Sequence, residues 1–395
     1  MRTARRLNLV AASGAVFLLG LTGCAGGEGN PDDAGGGGKI TIGVSVPLSG
    51  SVGATGSAAL CGFETYIAAA NAADAFNGFE AELDTKDNQF DPSAAATIAR
   101  DFATEEVSAV FIVGTLIADA SRAVLEAAEV PTFVVGDGAA YSPPKNDTEF
   151  GYNPVYLAEF RAALEFMKSE GNEKLSAVSA AGAGGQAIAD AWASIGDEIG
   201  FESGPAARIP NETQDFSGFA QQLKDGGATA VFSSLQETNL ASLQKAADAI
   251  GYHPTWVVTG FGFGPTYLEA AGKLAEGIYV SQWNTPAAES DDPAVQQYLE
   301  DVEKFGKDCD PAAPNVAIGY NQAAILGHAL TEATKDGEAP TSESIVNALQ
   351  LDGEAIATTP SVTFNDKSHA AVQSVSFWKV TADGMERASE LIQLD

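Results

Sequence analysis

The chain has 395 residues, of which 45% are hydrophobic, and its formal net charge at pH 7 is −32. A strongly acidic surface repels nucleic-acid phosphate and anionic lipid headgroups, so the charge argues against a nucleic-acid partner. The length indicates about two domains.

The amino terminus has the pattern of an export signal. Arg2, Arg5 and Arg6 precede a mostly apolar segment, residues 9–21, that ends in small residues. This segment is shorter than the roughly 20 apolar residues that span a bilayer as a helix. We therefore expect residues 1–23 to be a signal peptide, and both the general secretory route and the twin-arginine route stay open.

The next residue, Cys24, is a candidate lipidation site, because "LTGC" at its end of the signal resembles the lipobox of bacterial lipoproteins. The resemblance implies cleavage before Cys24 and a diacylglycerol on its thiol; an ordinary secretory signal with a chance cysteine is the alternative. Residues 25–38 hold seven glycines and no large apolar side chain, too little apolar surface to fold. We expect residues 24–38 to be a flexible tether between a lipid anchor and a body outside the cytoplasm. Loss of three arginines with the signal takes the charge from −32 to −35.

After the tether, apolar strand-like runs alternate with helical segments. Strands are predicted to start near residues 40, 81, 108 and 132, and again near 175, 204, 229 and 255. Helices are predicted over residues 57–75, 92–105, 117–128, 155–170, 186–199, 211–225 and 238–250, with Asn211 as a possible cap. Continuous apolar strands separated by helices indicate parallel sheets covered on both faces. The repetition of the pattern indicates two α/β units of similar size.

The pattern changes in the carboxyl-terminal part of the chain. A strand is predicted over 276–284, helices over 292–306, 315–334 and 341–350, and a hairpin over 360–384. This tail has too few strands for a third domain. We expect its pieces to be distributed over the other two units.

Motifs for catalysis or cofactor binding are scarce. His253, His328 and His369 are scattered, and the sequence contains no HExxH, CxxC or GxSxG motif. The glycine-rich stretches 182–187 and 260–265 do not fit a dinucleotide-binding loop and are explained by turns. We expect no enzymatic activity, no metal and no cofactor.

Two cysteines, Cys61 and Cys309, remain once Cys24 is acylated. In an oxidising compartment they have one intramolecular pairing available. The alternative is two buried free thiols, and the residues alone leave both open.

Polar, glycine-rich loops follow the predicted strands. In open α/β sheets ligands bind at the carboxyl ends of the strands, where helix N-termini point their amides into a crevice. The six loops are 47–56, 114–119 and 136–141 in the first unit, and 180–186, 233–238 and 259–264 in the second. Two such units facing one another predict a cleft with a hinge between them.

At these loops the sequence resembles the substrate-binding proteins of ABC importers, in the branch typified by the leucine/isoleucine/valine-binding protein. The resembling stretches are 42–71 with its x-P-x-S-G turn, 87–114 with its D-x-x-x-D-P turn, 211–232, 276–284 and 314–326. In the third stretch Thr229 stands where the family pattern has an aspartate. The resemblance covers about residues 39–395.

The resemblance implies a type I periplasmic-binding-protein fold, which is an α/β architecture of two lobes. Each lobe would be an open parallel sheet with helices on both faces, and three strands would form the hinge. Lobe one would comprise 39–154 plus 282–358, and lobe two 155–281 plus 360–395. Cys61 and Cys309 then fall in the same lobe, so that a bridge would leave the hinge free.

The resemblance also implies a function: capture of a small-molecule ligand between the lobes and delivery to an ABC permease in the cytoplasmic membrane. We expect a lipid-anchored monomer outside the cytoplasm. A cell-surface sensor of the same fold without a transport role is the main alternative, and an extracellular enzyme is a second.

Amino-acid binders of this family hold the ligand carboxylate with a serine and the ammonium with a tyrosine and an acid. By register these positions fall at Ala118, Leu235 and Phe261, which depart from the pattern. Asp137 and Glu237 are then candidates to receive a cation, with helix capping as the alternative for each. The predicted ligand-binding residues are Ser49, Ser51, Thr115, Asp137, Gly138, Tyr152, Gln236, Glu237 and Phe261. Phe263 and Trp283 also fall near the cleft, where they either stack on a ligand or pack the hinge. We expect a small organic ligand less zwitterionic than leucine, such as an amide, an aromatic acid or an apolar carboxylate.

Overall fold

The structure is a computed structural model that describes residues 37–50, 52–181, 183–289 and 291–394. The predicted signal peptide, the lipidation site Cys24 and the tether up to residue 36 lie outside the described residues. Ser51 lies outside them as well.

The first sheet has five parallel strands. They are β1 (Lys39–Val46), β2 (Glu80–Asp87), β3 (Ala109–Val113), β4 (Thr132–Val135) and β5 (Glu149–Gly151), in the order β2-β1-β3-β4-β5. Three helices connect the first four of them: α1 (Gly53–Ala72), α2 (Pro92–Glu105) and α3 (Thr115–Ala127). Every residue of β3 and of β4 is buried, as expected of apolar strands that are covered on both faces.

The second sheet is built from the middle and the end of the chain. Its parallel part contains β6 (Lys174–Ala180), β7 (Glu202–Ile209), β8 (Ala230–Ser234), β9 (Thr255–Thr259) and β10 (Tyr279–Gln282). Five helices accompany these strands: α4 (Tyr156–Ser169), α5 (Ala183–Ile199), α6 (Ser217–Gly226), α7 (Glu237–Ala249) and the short α8 (Pro265–Ala271). The observed strand starts confirm the two predicted α/β units.

The carboxyl-terminal part returns to the first sheet and then ends in the second. The helices α9 (Pro293–Phe305), α10 (Pro314–Thr334) and α11 (Ser342–Asn347) come first, followed by the antiparallel pair β11 (Leu351–Ile356) and β12 (Thr359–Phe364). The last strands are β13 (Ser374–Thr381), β14 (Gly384–Arg387) and β15 (Ile392–Gln393). The order of the second sheet is β14-β13-β10-β9-β8-β6-β7, with β15 paired to β13. The predicted fold class, two open α/β sheets covered by helices, is confirmed.

One local prediction is met only in part, and another was wrong. Residues 360–384 form a hairpin only near its turn, where Val362 bridges Val372 and Asn365 bridges Ser368 in antiparallel fashion; otherwise β12 pairs with β11, and β13 pairs antiparallel with β10. Ala370 still forms a bridge to Gly151 of the first sheet, so the chain changes sheets only between there and β13. Asn211 does not cap a helix: α6 begins at Ser217, whose amide donates to the Asp215 carboxylate at 2.9 Å.

The helices α1 and α10 pack backbone against backbone. A Cβ on Gly62 would lie 1.9 Å from the carbonyl oxygen of Val316, and one on Gly319 would lie 1.9 Å from that of Ala59. Only glycine permits an approach this close. The contact fixes α10 against the first sheet. It therefore holds in lobe one the part of the chain that returns there after β10.

A disulfide joins Cys61 on α1 to Cys309 in the segment after α9. The two Cα atoms are 5.8 Å apart and 248 residues separate them in sequence. Cys61 lies on α1, which packs on β1 and β2, and Cys309 follows α9, which packs on α1. The bridge therefore braces one lobe and does not cross between the lobes.

Candidate functional site

A cavity of about 350 Å³ lies between the carboxyl ends of the strands of the two sheets. All six loops predicted from the sequence contribute to its lining. Parallel strands bring their carboxyl ends to one edge of a sheet, so loops distant in sequence meet there. The cavity therefore lies where the strand order predicted a binding cleft.

The lobe-one wall is formed by the loops after β3 and β4. Gly114 adopts φ +107°, and a Cβ there would lie 2.7 Å from the ring of Phe90, which covers it. The hydroxyl of Thr115 accepts a hydrogen bond from the amide of Asp137 at 3.0 Å. The Asp137 carboxylate accepts from the amide of Tyr156 at 3.3 Å. These contacts tie the two loops to each other and to the start of α4.

The lobe-two wall is mostly apolar. Phe232, Phe261 and Ile188 line it, together with the polar residues Ser234 and Gln236. Phe261 packs edge-on against Trp283 with ring centroids 4.7 Å apart. Its ring is thereby held at the cavity surface by a residue of the hinge.

Tyr156 and Trp283 form the base of this aromatic group. The rings of Tyr156 and Trp283 are stacked at 6.2 Å, and Tyr156 meets Phe261 edge-on at 5.7 Å. Tyr156 lines the cavity, whereas Trp283 is 4% exposed and lies behind it. Of the two roles left open for Trp283, the structure shows packing at the hinge.

Glu159 is a buried acid in the cavity wall and was not predicted as a site residue. It is 1% exposed, and its Oε1 accepts hydrogen bonds from the hydroxyl of Ser281 and from Nε1 of Trp283, the latter at 2.9 Å. Burial raises the pKa of Glu159 from 4.5 to about 7, against the lowering effect of those two hydrogen bonds. A sequence signal existed: position 159 shares a helix face with the apolar positions 163 and 166, where an acid is out of place.

Two further polar atoms at the cavity lack protein partners. Among the described residues, Oδ1 of Asn153 and Oγ1 of Thr259 are buried and make no hydrogen bond. Asn153 does use its other amide atom, Nδ2, to donate to the hydroxyl of Tyr156 at 2.8 Å. Since buried polar groups are normally satisfied, unpartnered atoms in a cavity wall are suited to contact a ligand.

Four of the nine predicted ligand-binding residues line the cavity: Thr115, Asp137, Gln236 and Phe261. Ser51 lies outside the described residues. The other four, Ser49, Gly138, Tyr152 and Glu237, are not in its lining.

Each of these four residues has a different structural role. Ser49 donates to Asp87 Oδ2 at 2.7 Å on the exposed rim. Gly138 is buried against Pro154, to whose carbonyl its amide donates at 3.0 Å. The Glu237 carboxylate accepts from the amide of Tyr267 at 2.7 Å, near the start of α8, and burial raises its pKa.

Tyr152 belongs to a hydrogen-bond network at the hinge. Its hydroxyl lies 2.8 Å from that of Thr359 and accepts from Asn321 Nδ2 at 3.1 Å. The backbone amide of Thr358 donates to Asn321 Oδ1 at 3.0 Å, and the carbonyl of Thr358 accepts from the amide of Thr285 at 2.7 Å. The network joins the segments near residues 152, 285 and 358, which the sequence predicts to lie at the crossings between lobes.

The family-register positions Ala118 and Leu235 are both buried outside the cavity lining, so only Phe261 of the three faces the cavity. Phe263 does not line it either. Its ring lies 5.8 Å from that of Tyr267.

The ionisable acids and bases of the cavity lining are all acidic. Among the described residues the lining contains two carboxyl groups, those of Asp137 and Glu159, and no lysine, arginine or histidine. No cluster of three or more potential metal ligands occurs in the part of the chain that the structure describes. Within the same residues, none of the helices combines the length and the apolar character needed to cross a bilayer.

Comparison with known proteins identifies the family. The profile of the periplasmic binding protein family matches residues 39–385. The Leu/Ile/Val-binding protein homolog 8 of Brucella melitensis is 24% identical over 348 residues, covering 80% of this chain and 82% of that protein.

Two solved structures show the same fold. A branched-chain amino acid ABC transporter protein from Thermus thermophilus with bound valine has a TM-score of 0.81 at 17% identity, covering 91% of this chain and 97% of that one. A solute-binding protein of an R. palustris ABC transporter, in complex with 4-hydroxybenzoate, has a TM-score of 0.74 at 20% identity, covering 90% and 97%. The chain belongs to the periplasmic binding protein family, whose members bind ligands outside the cytoplasm and are not enzymes.

Proposed function

We propose that this protein is the solute-binding component of an ABC importer, which captures a small organic molecule between its two lobes and delivers it to a membrane permease. The observation that carries the proposal is the cavity of about 350 Å³ between the strand ends of the two sheets. Its volume is in the usual range for small-molecule sites. Its lining comes from both lobes, so one ligand contacts both.

The hinge network supports a mechanism of closure. A ligand that touches both walls binds the closed arrangement more tightly than the open one, and this difference in affinity shifts the equilibrium toward closure. Two of the segments joined through Asn321 and Thr358, those after β5 and after β10, lie next to crossings between the lobes and would stay fixed during this movement. The permease would recognise the closed form.

The proposed location of the protein rests on the predicted signal peptide and lipidation site at the amino terminus. Acylation of Cys24 and a tether over residues 24–38 would hold the domain, as a monomer, at the outer face of the membrane that carries the permease. Confinement to that surface raises the effective concentration of the protein near its partner.

The ligand is proposed to be of the amino acid, amide, or aromatic or apolar acid type. Valine and 4-hydroxybenzoate, bound by the two similar structures, are ligands of those proteins and differ in charge and shape. The fold therefore accommodates several ligand classes, and the choice depends on the lining residues.

A thermal-shift screen of these compound classes, followed by uptake measurements, tests the proposal. At least one compound should raise the melting temperature, and deletion of the gene should abolish high-affinity uptake of the labelled compound. Complementation with the wild-type gene is the control. Unchanged uptake in the deletion strain would contradict a transport role.

A further inference from the structure

The polar end of the cavity is acidic and buried. Glu159 is 1% exposed, and both hydrogen bonds that it receives, from Ser281 and Trp283, go to Oε1. No described residue donates to Oε2. Because Glu159 lines the cavity, this second oxygen is left for a ligand.

The neighbouring polar atoms fit the same purpose. Oδ1 of Asn153 is an acceptor, and the hydroxyl of Thr259 can accept; both are buried without a partner among the described residues, and both residues line the cavity. The three residues come from the first crossing, α4 and the end of β9. The atoms without a partner are therefore mainly hydrogen-bond acceptors, and they favour a ligand group with several N–H donors.

The rest of the lining calls for an apolar body. Phe90 lies on the lobe-one side and Ile188, Phe232 and Phe261 on the lobe-two side. A flat or branched apolar group fits between such walls.

Charge decides which donor group fits best. A buried carboxylate without a counter-charge is costly, and the lining supplies no basic side chain. Above pH 7, where Glu159 is ionised, a ligand carboxylate next to it would add like-charge repulsion, with Asp137 as a second acidic residue in the lining. A ligand ammonium would pair with Glu159 and satisfy the acceptors around it.

We propose that the cavity selects an organic ammonium with an apolar body, and that Oε2 of Glu159 is the residue atom that receives the ammonium group. This inference rests on the proposed function; among its ligand classes it favours compounds with an ammonium group and disfavours the aromatic and apolar acids. In the amino-acid binders that the sequence resembles, the corresponding acid falls by register at Phe261. Here the acid comes from α4 instead.

Isothermal titration calorimetry with three probes of equal body size tests the inference: 2-phenylethylamine, 3-phenylpropanamide and 3-phenylpropanoate. The amine should bind at least 10-fold more tightly than the carboxylate. E159Q should weaken amine binding at least 10-fold, since the glutamine keeps Oε1 as acceptor for Ser281 and Trp283 but loses the charge. E165Q, an exposed position on the same helix, is the matched control and should bind like the wild type.

A pH series separates charge pairing from a merely structural role. Amine affinity of the wild type should rise between pH 6 and pH 8 as Glu159 ionises, and E159Q should lose this rise. Asp137 and Tyr156 are the other titratable groups facing Glu159, so D137N is included and should keep the rise.

Three results would overturn the inference: tighter binding of the carboxylate, an amine affinity within twofold of the wild type in E159Q, or binding of none of the probes. A failure of this inference can be distinguished from a failure of the proposed transport function. A carboxylate that binds and whose uptake requires the gene would leave the transport role intact and remove only the ammonium assignment.

Discussion

Nε1 of Trp283 donates a hydrogen bond of 2.9 Å to Oε1 of Glu159, and this contact joins the start of α4 to the segment that follows β10. One partner lies after the first predicted crossing between the lobes and the other at the second. The same carboxyl group also lines the cavity. A ligand bound at Glu159 would therefore be connected to the hinge through this hydrogen bond.

The raised pKa of Glu159 predicts how stability depends on pH. The folded state retains the proton up to about pH 7, whereas the unfolded chain releases it near the ordinary value of 4.5. The folded state binds more protons in that window, so the contribution of Glu159 to stability falls as pH rises from 4.5 through 7. In urea unfolding without ligand, the stability of E159Q relative to the wild type should increase by about 2 kcal/mol between pH 5.5 and 8. E165Q is the control, and a difference that stays constant with pH would contradict the assignment.

The disulfide predicts a loss of stability without a loss of binding. The double variant C61S/C309S should lower the free energy of unfolding by about 2–4 kcal/mol, because the unfolded chain is no longer constrained. Ligand affinity should stay within twofold, since the bridge lies inside one lobe. Guanidinium unfolding and calorimetry measure the two quantities. A large loss of affinity at temperatures where the variant is folded would show that the bridge also affects the hinge.

The close contact of α1 with α10 predicts that a single added methyl group lowers the stability of the protein. G62A and G319A should each lower the free energy of unfolding by about 2–3 kcal/mol, because the new Cβ would lie 1.9 Å from a carbonyl oxygen of the facing helix. G218A in α6 is the matched control, since no atom lies within 4 Å of a Cβ at that position. Its stability should stay within about 1 kcal/mol of the wild type. Equal effects in urea unfolding at all three positions would contradict the packing argument.

A mostly buried ion pair joins α3 to Glu149, the first residue of β5, and it predicts that the single and double variants differ in stability. Glu149 is 4% exposed, and its Oε1 accepts from Nη2 of Arg122 at 3.2 Å. R122M leaves this carboxylate without its partner and should lower the free energy of unfolding by about 3–5 kcal/mol at neutral pH. The double variant R122M/E149L should recover most of that loss, because neither buried charge remains. Urea unfolding of the single and double variants measures both, and an R122M effect below 1 kcal/mol would mean that the pair contributes little.

The sequence predicted the general position of the site but not its chemistry. The six lining loops could be predicted because the carboxyl ends of parallel strands share one edge, whatever side chains they carry. Glu159 could not be assigned this way, since its partners Ser281 and Trp283 lie more than 120 residues away in sequence. Tyr152 was expected at the ligand and lies in the hinge network instead, because one residue further along a strand turns the side chain to the other face.

Small-angle X-ray scattering of the protein with and without a bound compound shows whether the lobes close on a ligand. The radius of gyration should decrease on ligand binding, and the scattering curve should change shape as the lobes approach. A compound that calorimetry shows to be bound at saturation but that leaves the scattering curve unchanged would contradict it.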